Sequence, residues 1–292
     1  MDNRAEVREF LMSRRAKVTP KEAGLIAGLN RRVPGLRRSE VATLAGVSVE
    51  YYSKLERGAI AGASSSVLDA LARALQLDDA ERTHLFDLAR AADGIPISGR
   101  PRQRNPKKVP TRPSLFWALE SITDGIAFVR NQGQDLLAAN ALGRVFYSPM
   151  IGDGGMVPNL ARFQFLDPAS RDFYPDWDAF AGMCVAIMRA EAGRDPHNRA
   201  LQDLVGELST RSDTFRTLWG AHDVRQHATG TKRYNHPIVG ELTLAYEELL
   251  PTAEPGLVFM IYTAEPGSPS AERLRLLASW ATKHTTALIS SD

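Results

Sequence analysis

Apolar residues recur at helical spacing through the first third of the chain and at both helical and alternating spacing beyond it. Val7, Phe10, Leu11 and Arg14 fall on one face of a helix predicted for Ala5 to Lys17. Val41, Ala42 and Ala45 share a face of one short segment, and Tyr52 and Leu55, three apart, share a face of the next. Val67, Leu68, Leu71, Ala72 and Leu75 make the apolar stripe of a helix from Ser66 to Gln76, and Leu85, Phe86, Leu88 and Ala89 that of a helix from Asp78 to Ala92. Five helices make a small all-α domain. Val18 to Leu36, with Pro20, Gly24, Gly28, Pro34 and Gly35, reads mostly as connection.

Beyond residue 113 the pattern changes. A short helix from Ser114 to Ile122 precedes a hairpin, Gly125 to Arg130 and Asp135 to Ala139, turning at Asn131 to Gln134. Helices are predicted over Asn140–Tyr147, Asp176–Ala192, Asn198–Leu208 and Asp213–His222. Strands follow over Thr231–His236, Glu241–Leu250 and Leu257–Ala264, and a helix over Ser268–Thr285 closes the chain. Two plus three strands predict one five-stranded antiparallel sheet in an α+β domain. Asp93 to Pro113, rich in proline and arginine, reads as an extended linker. The expected division is therefore 1–92, 93–113 and 114–292.

The stretch Arg38 to Gly58, RSEVATLAGVSVEYYSKLERG, carries the most specific chemistry. Gly46 suits a tight turn, Ser48 suits the N-cap of the second helix, and Gly58 suits its C-terminal stop. Two helices joined by such a turn form the helix-turn-helix that sets its second helix in the major groove. Val49, Glu50, Tyr51 and Lys54 would then face the duplex, with Glu50 and Lys54 on base edges. Arg37 and Arg38 precede the first helix and suit phosphates. The alternative is an ordinary αα-hairpin.

This stretch resembles the lambda-repressor-like (XRE) helix-turn-helix family, and the wider run Arg31 to Gly58 is similar to the MmyB-like regulators. The resemblance continues through LDPASRDFYPDWD (Leu166–Asp178), GRDPHN (Gly193–Asn198), ELSTRSDTFRTLWGAHDVR (Glu207–Arg225), GTKRYNHPIVGELTLAYE (Gly230–Glu247) and YTAEPGSPSAERLRLLASW (Tyr262–Trp280). It implies a PAS-like C-terminal domain that binds a small hydrophobic, fatty-acid-like effector. Phe128, Tyr174, Trp177, Trp219, His222, Arg225, Tyr234, His236 and Tyr246 are the candidate ligand residues. A carboxylate on that ligand would need a cationic or hydrogen-bonding end, for which Arg225, Arg233, His222 and His236 are candidates. Any one of these aromatics also fits an ordinary core.

Charge sharpens the division of labour. The 292 residues carry a formal charge of only +2, yet residues 1–112 hold 21 Lys/Arg against 13 Asp/Glu, and residues 113–292 hold 15 against 21. A basic half bearing a helix-turn-helix is the electrostatic footprint of a DNA binder. A single cysteine, Cys184, excludes an intrachain disulfide, and its apolar neighbours Met183, Val185 and Ile187 place it in a core. No apolar run suggests a membrane span or a signal peptide, so a cytoplasmic, nucleoid-associated protein without membrane contact is expected.

Neither a catalytic constellation nor a metal site assembles from the sequence. His222, His227 and His236 lack a zinc spacing, no G-x-S-x-G occurs, and Gly152 to Gly155 lacks the lysine of a phosphate loop. No cofactor is expected. The reading is a transcriptional regulator, a repressor, that binds a double-stranded DNA operator as a homodimer under control of the effector. The rivals are a C-terminal protein-interaction or dimerisation module without ligand and, less favoured, an enzyme.

Overall fold

The computed structural model describes residues 3–25, 33, 35–94, 112–151, 157–223 and 229–289. Packing divides the chain into two compact units. One comprises residues 1–98, 185–206 and 216–226, the other residues 99–184, 207–215 and 227–292.

The first unit contains helices α1 (Asn3–Lys17), α2 (Arg38–Ala45), α3 (Val49–Glu56), α4 (Ser65–Ala74) and α5 (Asp79–Ala92). Their apolar stripes meet in one core: Val7, Phe10, Leu11, Leu36, Val41, Tyr52, Leu55, Ile60, Leu71, Leu85 and Leu88 are all buried there. Each helix starts where its chemistry dictates. Ser48, Ser64 and Asp78 accept backbone N–H groups at the N-termini of α3, α4 and α5. At α2 the cap works in reverse, because the Glu40 carboxylate accepts the backbone N–H of Arg37 at 2.6 Å. The five helices expected from the sequence are all present.

Ala190 also packs against this core. It lies on α10 (Trp177–Arg194), whose first turns belong to the second unit and whose last turns belong to the first. Residues 199–206 of α11 (Arg199–Arg211) and 216–220 of α12 (Asp213–Gly220) join the first unit as well.

The second unit is built on a five-stranded, wholly antiparallel sheet. Its strands are β1 (Ile126–Asn131), β2 (Leu136–Ala139), β3 (Thr229–His236), β4 (Gly240–Leu249) and β5 (Leu257–Thr263), in the order β2-β1-β5-β4-β3. This is the expected α+β arrangement. Side chains alternate across the sheet. Ala127, Val129 and Phe259 pack on one face with Leu119 of α6 (Pro113–Glu120). Phe128 and Arg130 point to the opposite face, as do Tyr262 on β5, Tyr246 on β4 and Lys232 and Tyr234 on β3.

That opposite face is covered by α7 (Ala141–Phe146), α9 (Ala169–Phe173) and the start of α10. Asn140 fixes the entry to α7. Its side-chain oxygen accepts the N–H groups of Gly143 at 2.8 Å and Ala127 at 3.1 Å, and its amide donates to the Gly125 carbonyl at 2.8 Å. α8 (Leu160–Leu166) and α9 were not expected from the sequence, because seven- and five-residue helices are too short to display a period. α13 (Pro269–Ile289) packs on α7 and β4. Among the described residues, no helix is long and apolar enough to cross a membrane.

Candidate functional site

Two surfaces carry chemistry. The first is the α2–turn–α3 element. Gly46 ends α2 at φ 66°, a left-handed conformation that glycine adopts freely, and its N–H reaches the Ala42 and Thr43 carbonyls. Ser48 then accepts the Tyr51 N–H at 3.0 Å. Gly58 follows α3 at φ 93°, with the Ala59 N–H returning to the Lys54 carbonyl at 3.2 Å. A Cβ at Gly58 would collide with the Arg4 backbone, so the end of α3 lies directly against α1.

Tyr52 and Leu55 bury themselves in the core, leaving Ser48, Val49, Glu50 and Lys54 exposed on α3. Tyr51 is half-buried and packs against the core edge. The helix is fixed by Glu56, whose buried carboxylate pairs with Arg15 of α1 and Arg38 of α2 and accepts the Tyr52 hydroxyl at 3.2 Å. Burial alone would raise the Glu56 carboxyl, but the two guanidinium groups overcome that and hold it below the usual value. Arg38 therefore ties α2 to α3 through Glu56, a role its sequence position does not reveal. Arg37 stays exposed at the start of α2.

The second surface is the covered face of the sheet, where aromatic rings pack edge to face. Phe128 meets Tyr147 at 5.2 Å and Tyr262 at 5.4 Å between ring centroids. Phe146 meets Tyr234 at 4.9 Å and stacks on His236 at 5.7 Å. Tyr174 meets Phe180 of α10 at 4.4 Å, and Tyr246 meets Tyr262 at 6.2 Å. Five of the sequence candidates, Phe128, Tyr174, Tyr234, His236 and Tyr246, thus belong to one cluster.

Two cations lie on the same face of the sheet. The Lys232 ammonium lies 4.5 Å from the centroid of Tyr246, 5.3 Å from that of Tyr262 and 5.5 Å from that of Phe180, and 3.4 Å from the Tyr262 hydroxyl. Among the described residues it has no carboxylate partner. Arg130 is 4 % exposed; its Nη2 donates to Glu248 at 3.0 Å, while Nη1 has no hydrogen-bond partner among the described residues. Burial alone would raise the Tyr262 hydroxyl, yet Lys232 and the hydroxyls of Tyr234 and Tyr147 bring it below the ordinary tyrosine value. Burial pushes Tyr147, Tyr174 and Tyr234 well up and the Cys184 thiol up to about 12, so these stay protonated. The His236 ring accepts the Ile238 N–H at its Nδ1 and faces the Val145 carbonyl with Nε2, and burial lowers its pKa, so it is neutral.

The remaining candidates lie elsewhere. Trp177 packs on Phe165, donates its indole N–H to Ser170 at 3.0 Å and carries the Arg171 guanidinium on its face. Trp219 and His222 belong to the first unit. Arg225 and His227 lie outside the described residues. Arg233 is exposed and paired to Asp176, with Nε donating at 2.8 Å, because its strand position points away from the ring cluster. Sequence reading missed Arg130, Phe146, Tyr147, Phe180 and Lys232 as neighbours of this cluster. Strand alternation signals Arg130 beside Phe128 and Lys232 beside Tyr234; nothing in the sequence brings Phe146 or Phe180 to them.

One group of metal-ligand type exists among the described residues: Glu6, Glu9 and His222, with one ligand atom from each within 4.8 Å of the others. The Arg189 guanidinium already occupies it, bonded to Glu6 and 2.9 Å from His222 Nδ1, so an arginine supplies the positive charge a metal would bring.

Comparison with known families accords with these two surfaces. A helix-turn-helix domain model matches residues 8–85, and the MmyB-like transcription regulator ligand binding domain matches residues 111–277, more than half of the chain. No curated protein matches it. A helix-turn-helix region joined to such a domain makes a DNA-binding transcription regulator with a ligand-binding domain, and the chain belongs to the family of the MmyB-like transcription regulator ligand binding domain.

Proposed function

We propose that this regulator is a repressor that grips its operator as a homodimer and is controlled by a small hydrophobic effector with an acidic end. Val49, Glu50, Tyr51 and Lys54 read the duplex, and Arg37 and Arg38 stand beside the phosphates. The effector's apolar body takes the place offered by Phe128, Phe146, Tyr174, Tyr234 and Tyr246, and its anionic end meets Lys232 and Arg130. The protein acts in the cytoplasm, at the nucleoid.

The observation that carries this reading is two cations on the aromatic face of the sheet, one set among rings without a carboxylate partner and the other with a buried N–H unmatched. Leaving a buried donor unpaired costs about 1–3 kcal/mol, which a ligand oxygen would recover. The test is calorimetric titration and thermal shift of the full chain with straight-chain carboxylic acids and their methyl esters. Saturable binding of an acid and much weaker binding of its ester is the expected result. Binding of neither, with no species retained in native mass spectrometry, overturns the effector reading. Sedimentation showing a monomer both free and on DNA overturns the dimer.

A second reading has one observation in its favour. On α6, Trp117 is 69 % exposed and Phe116 is exposed beside it, a surface that suits a C-terminal unit used for protein interaction or dimerisation.

A further inference from the structure

α10 is a single eighteen-residue helix that serves both surfaces. Near its start, Phe180 lies tilted against Tyr174, meets Tyr234 at 5.5 Å and carries the Lys232 ammonium on its face. Nine residues on, about 13 Å along the axis of an α-helix, Arg189 is 0 % exposed and is among the largest fully buried side chains described.

Arg189 is built into the helices that hold α3. One guanidinium nitrogen pairs with Glu6 of α1 and lies 2.9 Å from His222 Nδ1; the other donates to the Trp219 carbonyl. The guanidinium carbon stands 4.1 Å from the centroid of the Trp219 ring. His222 in turn places Nε2 2.9 Å from Glu9, also on α1. Arg194 reaches Asp87 of α5 at 3.4 Å, and Gly193 lies so close to the His84 ring of α5 that a Cβ would collide with it. α1 then holds the recognition helix, through the Arg15–Glu56 pair and through the contact of Gly58 with Arg4.

A packed α-helix moves as a body, and a buried ion pair does not stretch without leaving a charge uncompensated. Phe180 borders the ring cluster from α10, so a molecule that displaces its ring bears directly on that helix. We propose that α10 is the element through which occupancy of the ring cluster sets the operator affinity of α3, with Arg189 as the positioning residue that fastens it to α1. The proposal rests on the reading of that cluster as the effector site. Coupling of this kind is a difference in binding free energy between two arrangements of one element, and it acts equally in both directions.

The test is a double-mutant cycle in the full chain, read without any effector. An operator is first selected by the wild-type chain from a random duplex pool. Phe180→Ala is then measured alone and with Arg189→Met, Glu6→Gln or Arg189→Lys, by operator affinity and by amide hydrogen exchange in α1 and α3. Phe180→Ala alone should change operator affinity by at least about fivefold, the lower end of usual allosteric coupling, and should change exchange in α1. Both effects should vanish with Arg189→Met or Glu6→Gln and persist in part with Arg189→Lys, which keeps a charge for Glu6. Glu6→Gln keeps the test open should Arg189→Met fail to fold.

Phe180→Ala effects of equal size in every background, or no effect on operator affinity in any, overturn the proposal. Failure of the acids to bind would count against the effector reading alone, since this cycle contains no ligand.

Discussion

Gly193 on α10 faces the ring of His84 on α5 with no space for a side chain between them. His84 is buried, meets Phe10 edge-on at 5.0 Å, and has no hydrogen-bond partner for either ring nitrogen among the described residues. Helices that approach this closely need glycine at the crossing. Gly193→Ala should push α10 off α5 and destabilise the first unit by about 1–3 kcal/mol, the usual penalty of overpacking. Urea denaturation followed by tryptophan fluorescence measures it, and a midpoint equal to wild type would contradict the packing.

His84 also sets a pH dependence. Burial lowers its pKa from 6.5 to about 3, so the folded chain holds it neutral. Below pH 6.5 the unfolded chain takes up a proton that the folded chain refuses, and stability falls as acid is added, by at most about 1.4 kcal/mol per pH unit. The Glu6 carboxyl acts lower. Burial would raise it, but the His222 hydrogen bond and the Arg189 charge bring it from 4.5 to about 2, so its contribution is complete above pH 4.5 and disappears toward 2. His84→Leu should therefore flatten the stability profile from pH 6.5 down toward 3, leaving the Glu6 contribution below pH 4.5 in place. Denaturation midpoints across that range decide it; an unchanged slope assigns the dependence to another group.

On the DNA surface, Lys54→Ala should relax base preference more than it lowers non-specific affinity, because its exposed place on α3 suits a base edge. Arg38→Ala should weaken every sequence alike and reduce the salt slope by about one, as loss of a phosphate contact does. Arg38→Ala should also lower stability, because Glu56 loses one of its two guanidinium partners. Binding isotherms on selected and scrambled duplexes over a salt series separate the two classes. Equal loss on all sequences for both variants would refute the assignment.

In the ring cluster, Lys232→Met should lower affinity for a straight-chain acid by roughly 10- to 150-fold, the worth of a charged hydrogen bond of about 1.5–3 kcal/mol. Affinity for the methyl ester should barely change. Arg233→Met serves as the control, since Arg233 is paired outward to Asp176. Titration calorimetry of the three proteins distinguishes them, and equal losses for Lys232→Met and Arg233→Met would remove Lys232 from the site.

The chain's order of residues determined most of what is local. Caps at Ser48, Ser64 and Asp78, the left-handed Gly46, the apolar stripes of α1 to α5 and the alternation of β3 and β4 are all short-range consequences of side-chain chemistry and backbone sterics. They fixed the helix-turn-helix, the antiparallel sheet and the shared face of Tyr234 and His236 on one strand. Only tertiary packing decided which charges are paired and which helix serves which unit. Arg233 and Lys232 are neighbours in the strand, yet one points out to Asp176 and the other in among three rings, and the choice depends on which face α9 and α10 cover. Arg189 reads as one more arginine on an amphipathic helix; its burial follows from Glu6, His222 and Trp219, up to 183 positions away. Local propensity acts over a few residues and can be read from them. Desolvation and ion pairing depend on what arrives from elsewhere in the chain, and no window of sequence contains that.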